Sequence, residues 1–384
     1  MKTSSRRIAI NMSGGYVPGL NSVITGAVLA ASELGWEAVG IQDGFDGLLF
    51  PERYSEGGVI PLSPSAVREL FIGSGSILGN APSADPFRMR SVNSENQVEE
   101  MDRSDELLQE LRARGIEAVV SIVGARTMSV LFRLHRKGLN SVCVPQSVEN
   151  DVATTQLSFG FNSALSYTVE TLDRVRMAAH AAHKIAVVEV LGEQAGWLAL
   201  QSGMAVCADA ILTPEFPYDL RKVAARLRRN AAAGLSCGLV VVAEGATSAI
   251  PAEPARDHPL KKSLSPLATE PDGGYTIERS GRAAHCVALQ LQRLTDQETY
   301  PLVLGQLVRG GAPTALDRQL GLGYGAGAVR AIDEGRTGVM VAFQPPDLSF
   351  VPFAEAINKV RTVPADSRLV QIARSLGILV GAEN

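Results

Sequence analysis

A chain of 384 residues is long enough for two lobes around a well-covered core. With 46% apolar residues, 20% charged residues and 37 glycines, the composition suits an α/β protein with many tight strand-to-helix turns. A net charge of −4 gives no reason to expect nucleic acid or an anionic membrane surface as the main partner.

In chain order, short apolar runs bounded by glycine recur, each followed by helical periodicity. Strands are expected over residues 8–12, 36–42, 118–123, 141–144, 185–191, 210–212 and 238–243. Helices are expected over 19–34, 126–137, 164–182, 220–233 and 283–294. This alternation implies parallel-rich sheets covered by helices, with ligands at the carboxyl ends of the strands. The first apolar run stops within about six residues, too short for a signal peptide. No stretch approaches the roughly 18 residues of a membrane span, so the expected location is the cytoplasm. Residues 245–280 hold Pro251, Pro254, Pro259, Pro266 and Pro271 with Asp272-Gly273-Gly274, which reads as a long excursion. Arg221, Lys222, Arg226, Arg228 and Arg229 read as a solvated helix face.

Cys143, Cys207, Cys237 and Cys286 form no C-x-x-C pair and sit beside small or apolar residues. They are expected to be buried free thiols. Trp36 and Trp197 are expected in the core. His180 and His183 lie three apart on one helix and read as a polar face rather than a ligand pair.

The first strand runs into Ser13-Gly14-Gly15-Tyr16-Val17-Pro18-Gly19-Leu20-Asn21. Glycines there let backbone N–H groups and a helix N-terminus approach an anion, although a tight packing turn explains them equally well. Further blocks follow: Gly40 to Leu48, Gly75-Ser76-Ile77-Leu78-Gly79, Val187 to Gly192, and Leu304 to Gly311. In their order these blocks resemble the 6-phosphofructokinase family, over roughly residues 7–380. The resemblance implies a phosphofructokinase-like α/β fold of two Rossmann-like lobes. The phosphoryl-donor lobe would comprise residues 1–160 and 308–360, and the sugar-phosphate lobe 161–307 and 361–384.

The resemblance also assigns residues. The family's P-G-T-I-D-N-D segment, which supplies the catalytic base, reads Pro145-Gln146-Ser147-Val148-Glu149-Asn150-Asp151 here. Glu149, one methylene longer than Asp, takes the base position, and Asp151 keeps the second carboxylate. The donor-binding set is Gly14, Gly15, Tyr16, Gly124, Ala125, Arg126 and Thr127. Ala125 stands where the family has the Asp that organises Mg²⁺ on the donor. Arg126 follows, where Gly marks ATP users and Asp most pyrophosphate users; it is read either as a fixed cation beside phosphate or as a surface arginine.

The sugar-phosphate set is Ser147, Lys184, Leu191, Gly192, Glu193, Glu244, Tyr300, Gln306 and Arg309. In it Glu193 replaces an arginine, Tyr300 an arginine, Gln306 a histidine and Lys184 an arginine. Pro82 falls where a further arginine is expected, with Arg88 and Arg90 close behind, and Thr25 and Leu29 replace two effector-site arginines. Charge-assisted bonds contribute ~1.5–3 kcal/mol each, so these losses weaken fructose 6-phosphate binding.

Three readings follow. The first is a family member with a degenerate kinase site, a non-catalytic or regulatory homologue that binds a phosphorylated metabolite or nucleotide. The second is an active divergent 6-phosphofructokinase using Mg²⁺ with pyrophosphate or ATP. The third is a kinase or phosphatase for another sugar. By analogy the chain is expected to form a homo-oligomer, dimer or tetramer, or to pair with an active paralogue.

Overall fold

The structure is a computed structural model that describes residues 6–80, 85–92, 98–235, 237–250 and 281–381. Pro82 and most of the 245–280 excursion lie outside the described residues. In chain order the elements begin with β1 (Arg7–Ser13), α1 (Leu20–Glu33), β2 (Glu37–Ile41), α2 (Asp46–Leu49), β3 (Val59–Leu62), α3 (Pro64–Val67), β4 (Met89–Val92) and β5 (Val98–Met101). Next come α4 (Ser104–Ala113), β6 (Ile116–Val123), α5 (Ala125–Arg136), β7 (Ser141–Ser147), β8 (Phe159–Gly160) and α6 (Phe161–Ala182). Then follow β9 (Ile185–Val190), α7 (Trp197–Ala205), β10 (Ala210–Leu212), α8 (Leu220–Ala232), β11 (Gly238–Ala243), α9 (Arg282–Thr295) and β12 (Thr299–Val303). The chain ends with α10 (Ala315–Asp333), β13 (Val339–Gln344), β14 (Asp347–Pro352), α11 (Phe353–Ala356), α12 (Arg368–Ser375) and β15 (Leu379–Val380).

The chain divides into two compact units, Met1–Ser163 with Arg309–Arg361, and Ala164–Val308 with Thr362–Asn384. Unit 1 is built on a sheet of order β14-β13-β7-β6-β1-β2-β3, with β8 beside β7. The outer pairs β13–β14 and β2–β3 are antiparallel and the rest are parallel. Its central strands are apolar on both faces, with Ile8, Ile10, Val120 and Ile122 fully buried, as a sheet covered on two sides requires.

On one face α1 and α10 cross closely because they meet at glycine. A Cβ on Gly26 would lie 2.2 Å from the Leu322 carbonyl oxygen, and one on Gly325 would lie 2.1 Å from that of Val23. Two motif blocks are joined by Asp43, whose N–H donates to the Leu78 carbonyl (2.7 Å) and whose carboxylate accepts from Asn80 N–H (2.7 Å) and the Tyr54 hydroxyl (3.1 Å). Desolvation, with Asp43 beside it, pushes the Tyr54 phenol up to about 12.

Unit 2 carries a wholly parallel sheet, β12-β9-β11-β10-β15. Its interior strand β9 buries Glu189, at 1% exposure. That carboxylate accepts from the N–H groups of Gly281 and Ala284 (2.8 Å), the first turn of α9. The helix has no side-chain cap of its own, so Glu189 satisfies two of its orphan donors.

The α/β class and parallel-rich sheets are as the sequence implied, but some burial expectations fail. Of the cysteines only Cys143 is buried; Cys207 and Cys286 are exposed and Cys237 intermediate. Cys207 sits in the left-handed turn that ends α7 (φ 49°), and Cys286 lies on α9 outside the buried row Ala284, Val287, Ala288 and Leu291. Trp36 is only partly buried and carries the Arg6 guanidinium 4.8 Å above its ring, whereas Trp197 is in the core. No helix among the described residues is long and apolar enough to cross a membrane.

Candidate functional site

In unit 1 the carboxyl ends of β1, β6 and β7 are adjacent, which brings three of the singled-out loops together. Gly14 takes φ 135°, open to glycine and strained for other residues. The Thr127 hydroxyl lies 3.2 Å from both the Ser13 and Gly124 carbonyl oxygens, tying the first turn of α5 to the end of β1. Gly124 is the N-cap of α5, and Ala125, Arg126 and Thr127 begin that helix, so its amino end faces this loop cluster. Tyr16 is 41% exposed and, with Asn21, Glu69 and the 73–77 loop, lines an open cavity of about 450 Å³. The phenol therefore belongs to a neighbouring hollow whose lining among the described residues includes the Glu69 carboxylate and no cation.

A second cluster follows β7. The Ser147 hydroxyl donates to Asp151 Oδ1 (2.6 Å) and accepts from Glu149 N–H (3.0 Å). Asn150 stands in the left-handed region (φ 55°), and its side chain accepts from Ser158 N–H (2.9 Å) and donates to the Gln156 carbonyl (3.2 Å). Arg309 approaches Glu149 at 3.7 Å, both side chains about four-fifths buried (20% and 18% exposed). One turn thus gathers a serine, two carboxylates and an arginine.

Arg361, which nothing local in the sequence marks, braces that turn from the far end of unit 1. Its N–H donates to the Asp151 carbonyl (2.8 Å) and its guanidinium to that of Asn150 (3.3 Å). Desolvation lowers the Arg361 pKa. Gln146 is also absent from the sequence-derived set, although the signal was present: a long polar side chain stands where the resembling segment has glycine.

In unit 2, β9, β11 and β12 run parallel as neighbours, so Leu191-Gly192-Glu193, Glu244 and Gln306 lie together at one edge. Glu244 N–H donates to the Val190 carbonyl (3.0 Å) and Gly245 N–H to that of Gly192 (3.1 Å). Gly245 has no room for a side chain, since a Cβ would lie 1.9 Å from the Glu193 carbonyl oxygen.

Lys184 and Tyr300 are elsewhere. They flank the amino ends of β9 and β12, so six strand residues, about 20 Å at ~3.3 Å each, separate them from that edge. Lys184 is paired with Glu298 (2.6 Å), and the Tyr300 hydroxyl reaches the Val175 carbonyl (3.5 Å). Burial raises the Tyr300 phenol, partly offset by Lys184. Within one chain the acceptor set of unit 2 therefore divides between the two ends of a sheet.

The residues present do not fit a protein-held Mg²⁺. Among the described residues no group of three or more His, Cys, Asp or Glu is placed to hold a metal. A methyl group occupies position 125, and Asp151 is engaged by Ser147. Hard cations require several oxygen ligands, supplied by carboxylates or by the substrate itself.

The sequence matches the family profile named Phosphofructokinase over residues 7–332. It is 36% identical over 387 residues to a protein of Chloroflexus aggregans named ATP-dependent 6-phosphofructokinase, covering 100% of both chains. To ATP-dependent 6-phosphofructokinase 1 of Synechocystis it is 33% identical, covering 98% of each. The fold matches the pyrophosphate-dependent phosphofructokinase of Marinobacter aquaeolei with TM-score 0.73 at 18% identity, covering 98% of this chain and 92% of that one. It matches the Saccharomyces cerevisiae phosphofructokinase with TM-score 0.71 at 24% identity, covering 97% of this chain but 46% of the yeast chain.

Proposed function

Because the chain belongs to the phosphofructokinase family, we propose that it acts as a divergent 6-phosphofructokinase, with Glu149 as the base that prepares the sugar hydroxyl. The observation that carries this reading is the Ser147–Glu149–Asp151–Arg309 cluster, which keeps a carboxylate, its backbone brace and a cation in one turn. In this reading the sugar hydroxyl gives its proton to Glu149 as its oxygen bonds to the terminal phosphorus of the donor. The bond from that phosphorus to the donor's bridging oxygen breaks, and the shortened donor leaves.

Asp151 and Ser147 hold the turn, while Arg309 stands ready for an anionic acceptor. The donor is ATP or pyrophosphate; the names of the full-length relatives favour ATP. Mg²⁺ carried on the donor would add charge neutralisation, although among the described residues no carboxylate set is placed to hold it. A second copy of the chain, as a homo-oligomer, would supply Lys184 and Tyr300 to an acceptor site, consistent with their place at the opposite sheet end.

A second reading, a non-catalytic or regulatory homologue beside an active paralogue, is favoured by Ala125 and the sign reversal at Glu193. Loss of one preorganised electrostatic group commonly costs ~10²–10³ in rate. Fructose-6-phosphate-dependent turnover, measured with Mg²⁺ and either ATP or pyrophosphate, separates the two. Turnover that disappears in Glu149→Ala supports the enzyme with Glu149 as base; equal turnover in both refutes that base, and no turnover by either protein, each folded, refutes the enzyme and leaves the binding role.

A further inference from the structure

The turn that carries Glu149 contains an unfavourable piece of backbone. Asn150 holds φ 55°, a left-handed value that a residue other than glycine keeps only where its surroundings impose it. Its own carboxamide supplies part of the constraint by bridging Ser158 N–H and the Gln156 carbonyl. The rest comes from a segment far along the chain. The Asn150 carbonyl accepts from the guanidinium of Arg361, 211 positions later (3.3 Å), and the Asp151 carbonyl accepts from the Arg361 N–H (2.8 Å). Val152 and Val360 form an antiparallel bridge directly beside them.

A surface arginine would need no explanation, but Arg361 is partly buried and desolvation lowers its pKa. The chain thus keeps a cation where burial disfavours charge. The bond from its N–H would survive most substitutions. What the side chain adds is a planar donor on the peptide joining Asn150 to Asp151, one residue beyond Glu149.

We propose that Arg361 is a positioning residue for the transfer reaction: its guanidinium orients the turn so that the Glu149 carboxylate meets the acceptor hydroxyl. The inference deepens the reading of Glu149 as the base and rests on it. Glu149 reaches its target through one methylene more than an aspartate would, so a small rotation of the turn is magnified at the carboxylate. A base must lie about 2.6–3.2 Å from its proton, and a displacement of about 1 Å costs ~10²-fold in rate. Arg361 acts through Glu149, with no contact of its own to the acceptor.

The test compares the full-length wild type with Arg361→Ala, Glu149→Ala and the double variant, using fructose 6-phosphate, Mg²⁺ and ATP or pyrophosphate. Arg361→Ala is expected to lower kcat by ~10–100-fold with the KM of each substrate within about twofold. The double variant should be no slower than Glu149→Ala, because Arg361 has nothing to position once the carboxylate is gone. Amide exchange of residues 147–158 should quicken by about tenfold or more in Arg361→Ala, with β9 unchanged. Should Arg361→Ala fail to fold, Arg361→Lys, which keeps the charge without the planar fork, makes the same comparison. An unchanged kcat, a loss confined to KM, or losses that add in the double variant overturns the proposal. A wild type without turnover sinks the base assignment and the positioning role with it, whereas an active wild type with unaltered variants overturns the role of Arg361 alone.

Discussion

Gly325→Ala should destabilise unit 1, whereas Gly323→Ala two residues away should not. The new methyl at 325 would meet Val23 O at 2.1 Å and Ala27 N at 2.6 Å, both backbone atoms of α1 that cannot rotate away. Relief requires the two helices to part by about 1 Å, and a gap of that size forfeits a quarter to a half of each dispersion contact. At ~0.1–0.2 kcal/mol per atom pair summed along the crossing, the loss is on the order of 1–3 kcal/mol, to which overpacking strain adds ~1–3. Replacing a helical glycine by alanine returns ~0.5–1 kcal/mol, leaving a net cost of about 3 kcal/mol. At ~2–4 °C per kcal/mol this is a fall in Tm of roughly 6–12 °C. At 323 the nearest atom is Leu348 Cδ1 at 3.6 Å, an ordinary contact, so only the propensity gain of ~0.5–1 kcal/mol remains. Calorimetry of the two variants beside the wild type decides it. Equal shifts in both, or a Gly325→Ala Tm within about 2 °C of wild type, would refute the argument from close helix approach.

Glu189→Ala leaves the amides of Gly281 and Ala284 without their buried acceptor and should cost ~2–5 kcal/mol. A thermal melt unchanged within about 2 °C would show that α9 is capped some other way. Burial holds Asp317 above the ordinary carboxylate value of 3.8, against opposing hydrogen bonds from Ser163. A raised folded value means that this group's contribution to stability is fully present in acid and is lost as pH rises through the folded value. The Tm of wild type minus that of Asp317→Asn should therefore fall as pH rises above the ordinary carboxylate range; a gap that widens would contradict the burial argument. Ala125→Asp restores a carboxylate at the first position of α5, beside Gly124. It should raise Mg²⁺-dependent turnover by about tenfold or more, and no change would show that charge at 125 is not what limits the rate.

What the sequence could and could not disclose follows from how local each signal is. β10 and β11 were legible to the residue because their apolar runs, bounded by turn residues, are too short for a helix, and β11 is rich in β-branched valine. β12 escaped notice because Pro301 interrupts it, and a strand tolerates proline when, like β12, it lies at the sheet edge. α10 was hidden by Gly321, Gly323, Gly325 and Gly327, which weaken a helix taken alone. Two of those four are the price of contact with α1, a partner 300 residues earlier in the chain.

The site shows the same division. Ser147, Glu149 and Asp151 lie in one short segment, and their mutual bonds are local. The approach of Arg309 to Glu149, the brace from Arg361 and the fit of Gln146 over Gly14 all join distant segments, and no periodicity reports them. The exposed thiols at 207 and 286 were misjudged for a related reason: apolar neighbours in sequence do not fix which way a turn or helix face points.

The order of strands in unit 1 carries a cost during synthesis. Before the ribosome begins unit 2 only the two-residue β8 is made after β7, and it pairs with the far end of β7 at Gln146 and Ser147; the outer neighbour β13 pairs with β7 through Val142 and Val339. That partner is made 197 residues later (339 − 142), which at ~5–20 residues per second is a delay of roughly 10–40 s. Throughout that interval the nascent sheet has an unpaired, wholly apolar margin from Val142 to Val144, an edge on which a neighbouring chain can add a strand. Yield in a cell should thus depend on holdase chaperones and on translation speed across residues 164–338, more than on the stability of the finished protein.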